Sequence, residues 1–253
     1  MTHAADSLVI KTQYLHEIVS RLESFGSHEL GFRVAGTPEE RRAAEYIAGE
    51  LRAAGLDVAE ERVPVDAWRL EDASVELAGG VRYECASFGG VPETPPGGIE
   101  AELVVVGRGG RKQLDPRDVE GKIALVDWRV DWLWPYHVAI ELAVRGARAM
   151  ILTSSPGGPY YQAEGALGTF DGIWHVDGLP CVTIRSDDAA ELAAREGERV
   201  RVVLRAPLTR GAEATNVVGI LRGSTDGAPT IVGGHHDGWF GAAFDDASAV
   251  AAT

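Results

Sequence analysis

The sequence predicts an α/β protein into which a β-rich (α+β) unit is inserted. Three observations carry that expectation. The first 68 residues read as helix, helix and strand. From about residue 70 to 206 the chain becomes a series of short apolar runs separated by Gly and Pro. Near 207 it reverts to longer apolar segments followed by a helix start. The expected division is therefore 1–68, 69–206 and 207–253, the outer two pieces belonging to one α/β domain.

Each element follows from local pattern. Over residues 8–25, Leu15, Ile18, Val19, Leu22 and Phe25 recur at three- and four-residue steps, which predicts an amphipathic helix. After the glycine-punctuated loop "GSHELGFRVAG", Thr37, Pro38 and Glu40 read as N-cap, first helical residue and the third position of a capping box. The helix they open carries Ala43, Ala44, Ile47, Leu51 and Ala54 on one face, and Gly55 closes it. "LDVAEERVPV" alternates apolar and polar residues and predicts a strand.

In the central stretch the strand landmarks are "VELAGG", "AELVVVGRGG", "GKIALVDWR", "AMILTSSPGG", "LPCVTIRSDD" and "ERVRVVLRA". Helices are expected at 137–147, ended by a glycine, and at 186–196, opened by a Ser/Asp cap. Two aromatic-rich segments, "DWRVDWLWPYH" and "PYYQAEGALGTFDGIWH", read as core packing or a covering of the domain seam more readily than as substrate contacts. In the last piece "ATNVVGILRGS" and "APTIVGGHHD" predict two strands joined by the turn "GSTDG". The second strand should be buried and end at Gly233 or Gly234, and a helix should start with Asp245 or Asp246 near its N-cap.

Composition narrows the function. A chain of 253 residues with 45% hydrophobic and 25% charged residues is long enough to bury one or two real cores. Its formal net charge of -14 argues against a nucleic-acid partner and against docking on anionic membranes, both of which call for clustered Lys and Arg. No apolar run approaches the ~20 residues of a transmembrane helix. The opening "MTHAADSLVIKTQYLHEIV" lacks a basic region followed by an apolar stretch, which favours the cytoplasm. Cys85 and Cys181 are too few for a disulfide framework and are expected as buried free thiols.

The chemistry gathers at "GGHHDGWFGAAFDD", residues 233–246. His235 and Asp237 sit where a strand should end, the position at which ligands collect in open α/β sheets. Two residues apart on an extended chain, they point the same way. Asp245 follows eight residues after Asp237. Imidazole plus carboxylate suits zinc or another borderline divalent metal, and one carboxylate can span two ions. Asp237 can equally orient His235 and raise its basicity. The competing reading is plain: H-x-D arises by chance, and a pair of aspartates at a helix start is usually a cap.

The stretch "TNVVGILRGS…TIVGGHHDGWFGAAFDDASAVAA" resembles the start of the catalytic core of the M28 family of zinc peptidases, which includes aminopeptidases and glutamate carboxypeptidases. Asn216–Gly219, Gly233–Asp237, Gly241 and Asp245–Ser248 match its motifs; Ala249 departs from the family's usual Gly. "FRVAGTPEERRAAEYIAGELRAAGL" is similar to the family's opening. Residues 119–128, 145–152 and 179–192 look like the three recognisable stretches of a protease-associated domain.

The resemblance implies an incomplete zinc-exopeptidase-type α/β domain carrying an inserted protease-associated domain. It implies that His235 binds one zinc, that Asp245 bridges two, and that Asp237 is the catalytic residue supporting His235. Asp246 orients the loop, His236 is a solvent-facing or wall residue, and Arg33 makes a surface salt bridge. The substrate would be a peptide, and a homo-oligomer stays open. The family's Glu-Glu pair and further ligands would lie beyond Thr253, so this chain alone is expected to be inactive and to bind metal poorly. The alternative is a non-enzymatic, receptor-like or protein-interaction relative in which the inserted unit is the functional part.

Overall fold

In the computed structural model, which describes residues 11–128, 135–154, 178–224 and 227–253, the chain forms two compact units. One comprises residues 1–67 and 210–253, the other residues 68–209.

In the first unit α1 (Thr12–Glu23) and α2 (Pro38–Ala53) precede β1 (Asp57–Trp68). α1 buries the predicted stripe: Ile18, Leu22 and Phe25 meet Ala43 of α2 in one cluster. The Arg42 guanidinium adds a hydrogen bond to the Phe25 carbonyl at 2.9 Å. α2 ends as its glycine predicts. Gly55 has φ +88, its N–H reaches the Arg52 carbonyl, and the Leu56 N–H reaches that of Leu51, so both orphan carbonyls are satisfied.

Its start departs from expectation. The Thr37 side chain accepts the Glu40 N–H, but the Glu40 carboxylate does not fold back to complete the box. It accepts the Thr215 N–H at 3.2 Å instead, in β10 (Leu208–Ile220), the strand paired with β1. α2 lies close on β10 because Gly219 has no side chain: a Cβ there would meet Leu56 and Leu51 at 2.8 and 3.1 Å.

The second unit is built on an eight-stranded mixed sheet. Its strands are β2 (Asp72–Leu77), β3 (Arg82–Glu84), β4 (Ala86–Ser87), β5 (Ile99–Val105), β6 (Ile123–Trp128), β7 (Ala149–Ser154), β8 (Cys181–Thr183) and β9 (Arg199–Arg205). They lie in the order β3-β2-β9-β5-β6-β7-β8-β4. β5, β6, β7 and β8 run parallel; β9 pairs antiparallel with both β5 and β2, β3 antiparallel with β2, and β4 antiparallel with β8. The parallel centre explains the unbroken apolar runs: Ile123–Val126 and Ala149–Leu152 are buried throughout. Short α3 (Arg111–Leu114), α4 (Pro135–Val144) and α5 (Ser186–Ala193) belong to this unit. At α5 the expected cap is absent; Ser186 is already helical and Arg185 holds the N-cap position without a side-chain bond. Cys85 and Cys181 are free and buried. The second aromatic segment, 159–175, and residues 129–134 of the first lie outside the described residues.

The expected strand through "APTIVGGHHD" does not form. Residues 227–237 carry no strand pairing, and Ile231 and Val232 are exposed at 90% and 68%. Apolar composition alone does not make a strand; a neighbouring strand must accept its backbone groups, and the described residues provide none here. The chain then closes with a π-helical turn (Ala243–Ala247) and α6 (Ser248–Ala252).

Candidate functional site

The site lies within the first unit, in the loop between residues 233 and 246. α1 anchors its far end: Ala247 and Ala251 pack into the cluster formed by Ile18, Leu22 and Phe25. Apolar burial, not capping, therefore holds this helix start. Asp245 and Asp246 have non-helical backbone angles; the N-cap position of α6 falls on Ala247, next to Asp246 as the sequence expected, and carries no side-chain cap bond. The carboxylates of Asp245 and Asp246 turn to His235 instead.

His235 is bracketed on both ring nitrogens. Its Nδ1 lies 3.1 Å from Asp237 Oδ1 and 3.2 Å from the Asp237 carbonyl oxygen. Its Nε2 lies 2.9 Å from Asp245 Oδ1. The His235 N–H donates to Asp246 Oδ2 at 3.2 Å, so Asp246 holds the backbone of the same residue. Because both ring nitrogens face acceptors, each must carry a proton or a cation to be satisfied. Partial burial works against protonation, but the Asp245 hydrogen bond and the Asp237 charge outweigh it, and the His235 pKa lies above its ordinary value. The side chains of His235 and Asp245 are half-exposed or more. Exposed ion pairs contribute only ~0–1 kcal/mol, so the arrangement does little for folding.

The neighbouring residue is held quite differently. His236 Nε2 lies 2.7 Å from Glu40 Oε1, with Glu40 almost fully buried. Of the two expected positions, solvent-facing or wall, the solvent-facing one does not hold: the His236 side chain is half-buried. Arg33 is fully buried, so it is not the surface residue expected. Its Nε donates to the His236 carbonyl at 2.6 Å and its Nη1 to the Leu22 carbonyl at 2.9 Å. Burial lowers the guanidinium's pKa, while the Asp237 and Glu23 charges oppose the shift. Arg33 and Gly238 also exchange both backbone hydrogen bonds, at 3.0 and 2.8 Å. Beside this bridge Phe32 stacks edge-on against Trp239 and at a tilt against Phe240.

Among the described residues no group of three or more His, Cys, Asp or Glu is disposed to hold a metal ion. The geometry says why: Asp237 and Asp245 occupy opposite nitrogens of one ring, so a cation at Nε2 meets the imidazole and Asp245 while Asp237 backs the ring. The donors present suit a borderline divalent cation in kind, an imidazole whose other nitrogen is tied to a carboxylate plus a second carboxylate.

No protein-family model matches the chain. It is 27% identical over 232 residues to aminopeptidase YwaD of Bacillus subtilis (strain 168), covering 92% of this chain and 47% of that protein. It is 28% identical over 226 residues to carboxypeptidase Q of Bos taurus, covering 83% of this chain and 47% of that protein. Among solved structures, BSAP, a zinc aminopeptidase from Bacillus subtilis, aligns with a TM-score of 0.72 at 25% identity, over 96% of this chain and 56% of that one. The peptidase M28 precursor from Shewanella amazonensis SB2B aligns with a TM-score of 0.71 at 24% identity, over 93% and 57%.

The curated relatives are an aminopeptidase and carboxypeptidase Q, and one structural neighbour is a peptidase M28 precursor. The mixed α/β architecture matches those of the solved zinc aminopeptidase and peptidase M28 precursor, and the chain spans about half the length of the curated relatives it matches. Against the M28 reading, the sequence singled out His235, Asp237 and Asp245, and the structure brings these three together. It missed Arg33 as a loop clamp and saw Glu40 only as a cap. Their partners are a carbonyl 203 residues away and an amide 175 residues away, for which one sequence carries no signal.

Proposed function

We propose that these residues supply the first part of the metal centre of a zinc exopeptidase acting on peptides, with the second unit a protease-associated domain. His235 and Asp245 would hold zinc, Asp245 spanning two ions in the complete centre, and Asp237 would orient the His235 ring. The observation that carries this reading is the bracketing of one imidazole by Asp237 on Nδ1 and Asp245 on Nε2. The aminopeptidase and carboxypeptidase relatives support it.

When bound, zinc supplies an activated water and a charge that stabilises a developing oxyanion. What this chain's own residues do is narrower. Asp237 holds the proton on Nδ1, which leaves the Nε2 lone pair free for a cation. Asp246 fixes the backbone beneath the ring.

Two side-chain donors fall short of the three or four that zinc sites use, so the 253-residue chain is expected to bind zinc weakly and to turn over no peptide. Zinc calorimetry tests the assignment. A weak binding event that disappears in both His235→Ala and Asp245→Ala is expected. Zinc binding untouched by either substitution, or robust peptide hydrolysis by this chain, would refute it. No zinc event at all would favour the metal-free binding role.

A further inference from the structure

Building on the zinc-centre reading, we propose that Arg33 and Glu40 are positioning residues that act through His236 to set the directions of His235 and Asp237. His236 itself ligates nothing in that reading, yet two buried groups hold it. Its carbonyl accepts from Arg33 Nε at 2.6 Å, and its ring meets Glu40 Oε1 at 2.7 Å. Both holding groups are buried, Arg33 at 0% and Glu40 at 1% exposure.

The grip is directional. The His236 carbonyl belongs to the peptide that leads into Asp237, so fixing it fixes the plane from which the Asp237 side chain departs. Two further bonds from the Arg33 backbone pin Gly238, the residue after Asp237. Three of Arg33's four hydrogen bonds therefore fall on residues 236 and 238, flanking Asp237, while only one reaches α1 at Leu22. Glu40 is itself tied to the Thr215 N–H of β10, so the ring of His236 is referenced to the strand and not to solvent.

A buried charge is a poor device for stability alone, since apolar replacements of similar volume are often as stable. Among the described residues Arg33 Nη2 and Glu40 Oε2 are buried without hydrogen-bond partners, which is wasteful in simple structural glue. Fixing an orientation is a use that justifies the charges. A fork is also what the geometry demands of residue 33, because one guanidinium reaches the Leu22 and His236 carbonyls at once, and an ammonium bears all its donors on one nitrogen.

The test compares the wild-type chain with Arg33→Met, Arg33→Lys and His236→Ala, each at a temperature where circular dichroism shows it folded. Long-range nitrogen–proton NMR spectra of the His235 imidazole are recorded without metal, and zinc alone is then titrated. The expected result in Arg33→Met is loss of the distinct wild-type shifts of Nδ1 and Nε2. A fall in zinc affinity of roughly 10- to 100-fold should accompany it, the usual consequence of freeing a ligand from its support. Arg33→Lys should show the same change in part, and His236→Ala, which keeps the carbonyl and removes only the Glu40 contact, a smaller one. If Arg33→Met does not fold, the other two variants carry the same readings.

Folded variants with an unmoved His235 spectrum and wild-type zinc affinity overturn the proposal. A wild-type chain whose His235 signals ignore zinc overturns the metal reading instead, and the metal-free imidazole comparison still decides this one.

Discussion

At the scale of single residues, the loop shows two ways of holding a histidine. His235 is exposed and bracketed by exposed carboxylates, an arrangement worth little to stability and suited to exchange with a cation. His236 is tied to buried groups and suited to staying still. The difference predicts what Asp237 does. Asp237→Asn keeps the size and one acceptor but removes the charge that favours the proton on Nδ1. Zinc affinity should fall roughly 10- to 100-fold, with the melting temperature nearly unchanged. Calorimetry beside a thermal melt checks both halves. A drop in stability without a drop in affinity would make Asp237 a purely structural partner.

At the scale of elements, the helix start that carries Asp245 depends on α1. Leu22 is fully buried at the centre of the cluster that takes in Ala247 and Ala251. Leu22→Ala should cost about 2–5 kcal/mol, as large-to-small core substitutions do, and should loosen the end of the loop. Urea denaturation measures the first effect. Faster amide exchange at 247–252, relative to 38–53, measures the second, and equal acceleration in both helices would sink the link.

Elements also show where local pattern suffices. The bounds of α2 were legible, from the Thr37 cap and Pro38 to the glycine terminator, because caps and helix stops are local chemistry. The strand expected at residues 228–234 was not, because a strand is a partnership and its composition names no partner. The capping role given to Glu40 failed for a related reason: a buried carboxylate goes to whichever donor the fold supplies, here the Thr215 N–H and His236.

At the scale of the whole molecule, the second unit carries both thiols in its interior. Burial pushes the pKa of Cys85 and of Cys181 well above its ordinary value. The sign follows from linkage. Each thiol stays protonated in the fold, while the unfolded chain ionises it near pH ~8.5–9, so stability is fully present below that pH and falls as pH rises past it. The loss should be on the order of 1 kcal/mol per thiol at pH 10, compared with pH 7. Denaturation midpoints at the two pH values test this, and Cys181→Val should flatten the slope. In the native state at pH 8 a thiol reagent should label neither cysteine, and in denaturant both; rapid native labelling would show a cavity open to solvent.

The sequence by itself determined the α/β class, the helices other than short α3, and most strands of both units, and it drew attention to His235, Asp237 and Asp245. All of these rest on short-range signals: capping chemistry, residue period, and spacing along a few turns of chain. Only the tertiary structure decided that Asp245 faces His235 and does not cap a helix, that Arg33 is buried beneath the loop, and that Glu40 reaches from α2 to β10 and His236. The Arg33 and Glu40 outcomes turn on which donor meets which acceptor across 175 to 203 residues, and the His235–Asp245 one on how a ten-residue loop folds back on itself; a buried polar group must take the partner that packing brings to it.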